Sequence, residues 1–406
     1  VDLYEKCRRF DRARALMDAG IYPYFRAIGE HDCTQATVQG RRVIMIGSNN
    51  YLGLTHDPRV VEAAREATLR LGTSCTGSRF LNGTLELHEE LERRLARFLK
   101  TEAACLFSTG FMVNLGVISA LVGKDDIILC DRENHASILD GCRLSFGSTR
   151  KFRHDDMEDL ERILAACPDS AGRLIVVDGV FSMNGTITNL PAILELAKKY
   201  HARVMVDDAH GIGILGAGGR GTLEHFDLLG KPDGVDLIMG TFSKSLASIG
   251  GFIAGTAEVV HYIKHTARAL IFSASPTPAM TAAAMAALDI IETEPWRISR
   301  LNEIVNRARG AFNEMGFDTM GSETPIVPIL MGSDEDTFGF WKMLDERGIF
   351  ANPVVAPGTP VGKGLIRTSY MATHKDEEIQ RVIDVFEELA RITGRLPSGY
   401  HAVRAP

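Results

Sequence analysis

Apolar residues along this chain keep two different rhythms. Short unbroken runs at 103–107, 127–130, 173–177, 203–206, 237–239 and 252–254 predict buried strands. Between most of them the apolar positions recur at helical spacing, notably over 157–166 and 192–200. Strands alternating with helices in this way predict an α/β fold: a mostly parallel central sheet covered by helices on both faces. Upstream, residues 1–20 read as one helix, with Leu3, Cys7, Phe10, Leu16 and Met17 on its apolar stripe and Gly20 at its end. Such a helix is expected to pack on another subunit or on a second domain. A short strand over 41–47 leads into the turn-rich loop 48–54, which is either a plain connection or a ligand mouth. A helix then runs from Asp57-Pro58 to about Leu71, with Pro58 at its start. The stretch 72–83 is too irregular for a core element, and long loops inside compact domains are usually functional. Residues 85–99 follow as a helix whose alternating Glu and Arg suit a solvated face.

Beyond Pro276 the alternation loosens. A helix-rich stretch over 279–315 is followed by a strand at 326–330, a helix near 337–347, a strand at 364–367 and a last helix over 375–392. This pattern predicts a smaller C-terminal α+β domain. The expected division is a helix and strand segment at 1–48, a large α/β domain at 49–275 and the α+β domain at 276–406. A length of 406 residues also exceeds what one compact core usually holds. After Gly394 come two prolines and little periodicity, so this tail is expected to be poorly ordered.

In parallel sheets ligands gather at the carboxyl ends of the strands. Five such ends carry chemically loaded residues here: Ser108 to Phe111, Asp131 to His135, Asp178 to Ser182, Asp207 to His210, and Thr241 to Lys244. Lys244 is either an ordinary surface charge or a half-buried amine able to form a Schiff base. Thr241 and Ser243 would offer hydroxyls to a phosphate, and Gly250-Gly251 would let backbone approach a flat ring. Asp207 and His210 emerge three residues apart. A metal site competes for that pair, but further ligands at usable spacing are missing. A carboxylate held against a pyridine nitrogen keeps it protonated, and a protonated pyridine is an electron sink. Asp207 suits that role, with His210 near a ring hydroxyl. His135 shares the row, which favours ring stacking or acid–base work over a structural part. Gly110 opens a helix whose amides could hold a phosphate. The glycines at 216–221 lack the strand and helix of a dinucleotide loop, and no G-x-S-x-G elbow supports serine hydrolysis.

Composition narrows the partners. A formal charge of −7 argues against a nucleic-acid partner. Seven scattered cysteines include no C-x-x-C pair, as expected for reduced thiols in a cytoplasmic protein. No apolar run reaches the roughly 18–20 residues that cross a bilayer, so no transmembrane segment is expected and peripheral membrane association stays open. Glu5, Lys6, Arg8, Arg9, Asp11, Arg12 and Arg14 do not suit a signal peptide's apolar core.

Taken together, Asp178-Gly179-Val180-Phe181-Ser182-Met183, Val206-Asp207-Asp208-Ala209-His210-Gly211 and Thr241-Phe242-Ser243-Lys244 resemble the α-oxoamine synthase family of pyridoxal-phosphate enzymes, fold type I. Ser48 to Leu54 and Ser108 to Phe111 share the resemblance, which runs through nearly the whole chain. It implies pyridoxal 5′-phosphate as cofactor, held on Lys244. His135 would stack on the ring, Asp207 would pair with its nitrogen, and Ser182 and His210 would reach its oxygen. Gly110, Phe111, Thr241 and Ser243 would bind the phosphate, with Ser273 and Ala274 reaching it from the other subunit of a homodimer with shared sites. Arg367 would grip the amino-acid carboxylate, with Asn49 close to it. Ser243 and the segment Gly77 to Thr84 most resemble the bacterial members that join L-serine to a long-chain acyl-CoA. Members that use glycine or alanine with other acyl-CoAs, the aminoketobutyrate ligase and aminooxononanoate synthase types, typically carry Gly at that position. Some serine-using members have an extra arginine where this chain has Val355.

Overall fold

A computed structural model describes residues 1–398 and 400; the expectation for the end of the tail, at 399 and 401–406, lies outside the described residues. The chain divides into two compact units. One comprises residues 49–303 with 323–325, the other 1–48, 304–322 and 326–406.

The larger unit is built on a seven-stranded sheet in the order Ala103–Phe107, Gly251–Gly255, Leu237–Thr241, Arg203–Asp207, Arg173–Asp178, Ile127–Asp131, Ser148–Phe152. The last five in that order pair in parallel. Gly251–Gly255 runs against both its neighbours. Ala103–Phe107 therefore points the same way as the five, and six carboxyl ends share one edge. Phe107, Val117, Ile128, Val176, Met205 and Ile253 are fully buried in the core between this sheet and its helices. Burying an aliphatic side chain of this size contributes roughly 1.5–3 kcal/mol. Local chemistry starts the helices at that edge. Thr109 caps Gly110–Leu121 by accepting from the Met112 amide at 3.2 Å. His135 caps Ala136–Leu144, its ring nitrogen accepting from the Ser137 amide.

One expectation needed correction, and some strands were not expected. The helix over 1–20 is two short ones, Glu5–Arg8 and Arg12–Asp18, and neither buries a residue. Phe10, meant for the stripe, lies between them and is 63% exposed, so nothing in the chain rewards continuing through it. The helix-rich stretch expected over 279–315 consists of two helices, Pro278–Thr293 and Trp296–Glu314, separated because Pro295 cannot continue the ladder. The strand Ser148–Phe152 was not expected: it closes the sheet at one edge, mostly exposed, and has no apolar run. The pair Ile28–His31 and Gln35–Val38 also escaped notice, the first being exposed throughout.

The smaller unit holds two sheets. One runs Ile28–His31, Gln35–Val38, Arg41–Met45, Ile349–Phe350, and the other Ile326–Gly332, Gly364–Ser369, Asn352–Val354. Helices Asp334–Glu346 and Asp376–Ile392 cover them, around a cluster of Phe312, Phe317, Phe340 and Phe386. Among the described residues no helix is long and apolar enough to cross a membrane.

Candidate active site

At the carboxyl edge of the seven-stranded sheet lies a cavity of about 300 Å³. Gly110, Phe111, His135, Ser182, Asp207, His210, Thr241, Ser243 and Lys244 all line it. Of the residues singled out from the sequence, Ser273, Ala274, Asn49 and Arg367 do not. Ser273 and Ala274 follow the helix Arg268–Ile271, and the Ala274 carbonyl accepts from the Ser108 hydroxyl. Asn49 accepts from the Tyr51 hydroxyl at 3.3 Å. Arg367 belongs to the smaller unit, buried on the central strand Gly364–Ser369 opposite Pro328 and Asn352. Val355 is buried in that unit, its carbonyl accepting from the Gly358 amide at 2.9 Å.

Strand pleating sorts the two adjacent aspartates. Asp207, the last strand residue, faces the cavity. Its Oδ1 accepts from the Ala209 amide at 3.1 Å and its Oδ2 from the Asn114 amide group at 2.7 Å. Asp208 turns away and takes both the amide and the hydroxyl of Thr222, at 2.8 and 2.6 Å. Burial pushes the Asp208 carboxyl up to about 7 against those hydrogen bonds. A side chain at Gly211 or Gly221 would meet the Asp208 oxygens at 1.9 Å, so this aspartate is a structural tie for the following loop.

Asp178 stands beside Asp207 in parallel register. Its Oδ2 accepts from the His135 amide at 3.1 Å, while Oδ1 is buried without a hydrogen-bond partner. Burial, then the neighbouring Asp207 charge, hold its carboxyl well above the usual range, with Lys244 opposing. The His135 imidazole moves the other way: burial lowers its pKa, Lys244 adds to that and Asp207 opposes it. His210 Nδ1 lies 2.7 Å from the Tyr51 hydroxyl, and both residues are buried.

The helix start and the lysine segment meet directly. A Cβ on Gly110 would lie 2.6 Å from Thr241 Oγ1, so only glycine lets the two approach. Thr241 Oγ1 donates to the Gly250 carbonyl at 3.1 Å and sits 3.0 Å from Ser243 Oγ. Two hydroxyls at a helix N-terminus form a set suited to a phosphate. The glycine pair also packs closely against the protein itself, and Gly250 lines the cavity. Side chains there would strike Phe242 at 2.6 Å from Gly250 and Gly110 at 2.7 Å from Gly251. The glycines at 216–221 form a turn closed by the chain itself, with Glu224 Oε2 accepting from the Gly218 and Arg220 amides at 3.0 and 2.9 Å.

Sequence reasoning missed Asn114, Ser137 and the Tyr51 hydroxyl as parts of this site. Asn114 left one signal, a lone amide in the largely apolar helix Gly110–Leu121.

Comparison with known proteins places this geometry. The family model for aminotransferase class I and II matches residues 41–386. The chain belongs to that family. A serine palmitoyltransferase of Sphingobacterium spiritivorum is 49% identical over 390 residues, 95% of this chain and 97% of that protein. An 8-amino-7-oxononanoate synthase of Bacillus velezensis is 45% identical, covering 87% of this chain and 90% of that one. The solved serine palmitoyltransferase of Sphingomonas wittichii superposes with a TM-score of 0.94 at 35% identity, over 98% of this chain and all of that one. Relatives of both kinds set this family member among the α-oxoamine synthases and give it the fold type I architecture described above.

Proposed function

We propose that this chain is a pyridoxal 5′-phosphate-dependent acyltransferase that condenses L-serine with palmitoyl-CoA, giving 3-ketodihydrosphingosine, CoA and CO2, the entry step of sphingolipid synthesis. One observation carries the reading: Lys244, Asp207 and His135 line a single cavity in a chain 49% identical, over 95% of its length, to a serine palmitoyltransferase. The residues fit the cofactor. A carboxylate anchored by two N–H groups suits a protonated ring nitrogen, and the hydroxyls of Thr241 and Ser243 beside Gly110 suit its phosphate.

In this reading the Lys244 amine would hold the cofactor, and that amine would also be the base that takes the α-proton of serine. The bound cofactor supplies an electron sink for negative charge developing at the α-carbon. Asp207 holds the proton at the ring nitrogen, while His210 and Ser182 serve the ring oxygen. His135 packs on the ring and orients the serine. Phe111, whose ring meets that of His135 edge-on at 6.3 Å, and Gly110 help to seat the phosphate. Arg367, with Asn49, holds the serine carboxylate until it leaves as CO2. The new carbon–carbon bond joins the serine α-carbon to the palmitoyl carbonyl carbon, the CoA thiolate departs, and Lys244 returns the proton.

The chain is further read as a cytoplasmic homodimer with shared sites. The position of Ser273 and Ala274 outside their own chain's cavity, beside a 72% exposed Phe272, supports the shared site. Seven free cysteines support a reducing compartment.

A CoA-release assay across serine, glycine and alanine against a ladder of acyl-CoAs tests the reaction. Serine with palmitoyl-CoA should lead. A lead for glycine or alanine with a shorter acyl chain would install the second reading, an oxononanoate-synthase type, which the 45% identical Bacillus velezensis relative favours. The substitution Lys244→Ala should remove turnover together with the visible absorbance of the bound cofactor. Keeping either one overturns the assignment of this lysine.

A further inference from the structure

His135, Ser137, Asn114 and Asp207 form one continuous hydrogen-bonded chain, and the chemistry of its links gives it a direction. The Asn114 amide group donates to Asp207 Oδ2 at 2.7 Å and to Ser137 Oγ at 2.8 Å. Both Asp207 oxygens act as acceptors, Oδ1 from the Ala209 amide, so turning the amide round would set its oxygen against an acceptor. The Asn114 oxygen is buried with no hydrogen-bond partner, an arrangement tolerated only if the two N–H bonds decide the orientation. Ser137 Oγ, having accepted from Asn114, has its own proton to give, and His135 Nδ1 lies 2.7 Å away. The Ser137 backbone amide aims at the same nitrogen at 3.3 Å. Nδ1 therefore receives two donors and must present its lone pair, which places the ring proton on Nε2. Asn114 and Ser137 are both fully buried, and Asp178 holds the His135 backbone by accepting from its amide.

We propose that Asn114 and Ser137 are positioning residues that lock His135 in its neutral Nε2–H form and tie that form, through hydrogen bonds, to the Asp207 carboxylate. The consequence is that His135 offers the cavity a fixed N–H donor rather than a titrating base. The charged and titratable groups facing it are Asp207 and Lys244 across the cavity and Asp178 at its backbone. A hydroxyl donating to Nδ1 favours the neutral ring, so removing it lets the ring take a proton more readily.

This inference rests on the proposed function only in placing the cofactor among these residues. Neutron diffraction from crystals of the deuterium-exchanged holoenzyme reads the proton directly. Deuterium should appear on His135 Nε2, on both Asn114 amide positions and on Ser137 Oγ toward the ring. Deuterium on Nδ1 would overturn the proposal whatever the substrate proves to be. In solution the pH dependence of the cofactor's absorbance and of kcat/KM gives a second reading. Ser137→Ala should move the acid limb of both to higher pH by about one unit, with kcat falling about 10- to 100-fold. Ser137→Thr should restore the limb. Asn114→Ala should move it the same way, and the double variant no further than the larger single shift, because both act through one chain. An unmoved limb in folded Ser137→Ala, or two shifts that add, would sink the coupling. If no serine-dependent CoA release is found while the neutron result holds, the function fails and the relay stands.

Discussion

Three histidines of this protein, His88 and His374 buried and His135 at the wall of the cavity, look alike until their second nitrogen is considered. His88 in the larger unit accepts from the Leu85 amide through Nδ1 at 3.1 Å and donates through Nε2 to the Pro276 carbonyl at 2.9 Å. His374 in the smaller unit repeats the device, with the Met371 amide at 2.9 Å and the Met45 carbonyl at 3.1 Å. His135 also has Nδ1 filled, yet its Nε2 makes no hydrogen bond to any described residue while its ring lines the cavity. Burial lowers the pKa of all three. A depressed histidine is thus no sign of chemistry by itself. What separates His135 is a nitrogen left uncommitted at the wall of a cavity.

The contrast predicts opposite effects of the same truncation. His135→Ala should lower turnover by about 10²–10⁴-fold, as for loss of a positioned catalytic imidazole, and leave thermal stability close to that of the parent. Steady-state kinetics and a calorimetric scan of the two proteins check both halves; a large fall in Tm would mean that His135 is structural like the others. His374→Ala should do the reverse. It leaves the Met371 amide and Met45 carbonyl unpaired around a cavity and should cost about 2–4 kcal/mol in urea unfolding. Turnover of the folded fraction should stay within about twofold of the parent, because surface and scaffold changes away from the reacting groups spare transition-state contacts.

Much of this was legible in the chain, for a definite reason. Strands buried on both faces read as unbroken apolar runs, and the polar residues that end them stand out against that background. Asp207, Thr241 and Lys244 announce themselves in this way, and the parallel arrangement that aligns their strand ends follows from the helices in between. The links among them were not legible. Asn114 reaches Asp207 from a different element, 93 positions away in sequence, and no spacing rule reports a contact of that range. The N-terminal stripe misled because amphipathic periodicity says which face could be buried and nothing about whether anything covers it; Leu3, Phe10 and Met17 are all exposed. The edge strand Ser148–Phe152 was lost for the complementary reason: one neighbour and a wet face require no apolar run. The glycine pair at 250–251 stood out as a place of close approach, and its packing against Phe242 and Gly110 is a long-range contact that no spacing rule reports.

The smallest effect sharpens the comparison most, because it isolates one proton. Burial pushes the His374 imidazole down to about 4, against the pull of the nearby Glu378 carboxylate. Unfolded, the same residue titrates near 6.5. Between these values the unfolded chain binds a proton that the folded chain refuses, so the contribution is fully present above about 6.5 and is lost as the pH falls toward 4. Lowering the pH from 7 to 5 should therefore remove about 2 kcal/mol of stability through this histidine. The groups around Asp178 and Asp208 titrate with the opposite sign, since burial raises their carboxyls, and they would blur the slope of the parent protein. Taking the difference between the parent and His374→Gln cancels them, because both proteins keep those aspartates. Urea unfolding of the pair at pH 7, 6 and 5 should show the variant less stable at pH 7 and the gap closing by about 2 kcal/mol at pH 5. A gap constant with pH would mean that His374 is charged inside the fold, and the parallel drawn with His88 would fail with it.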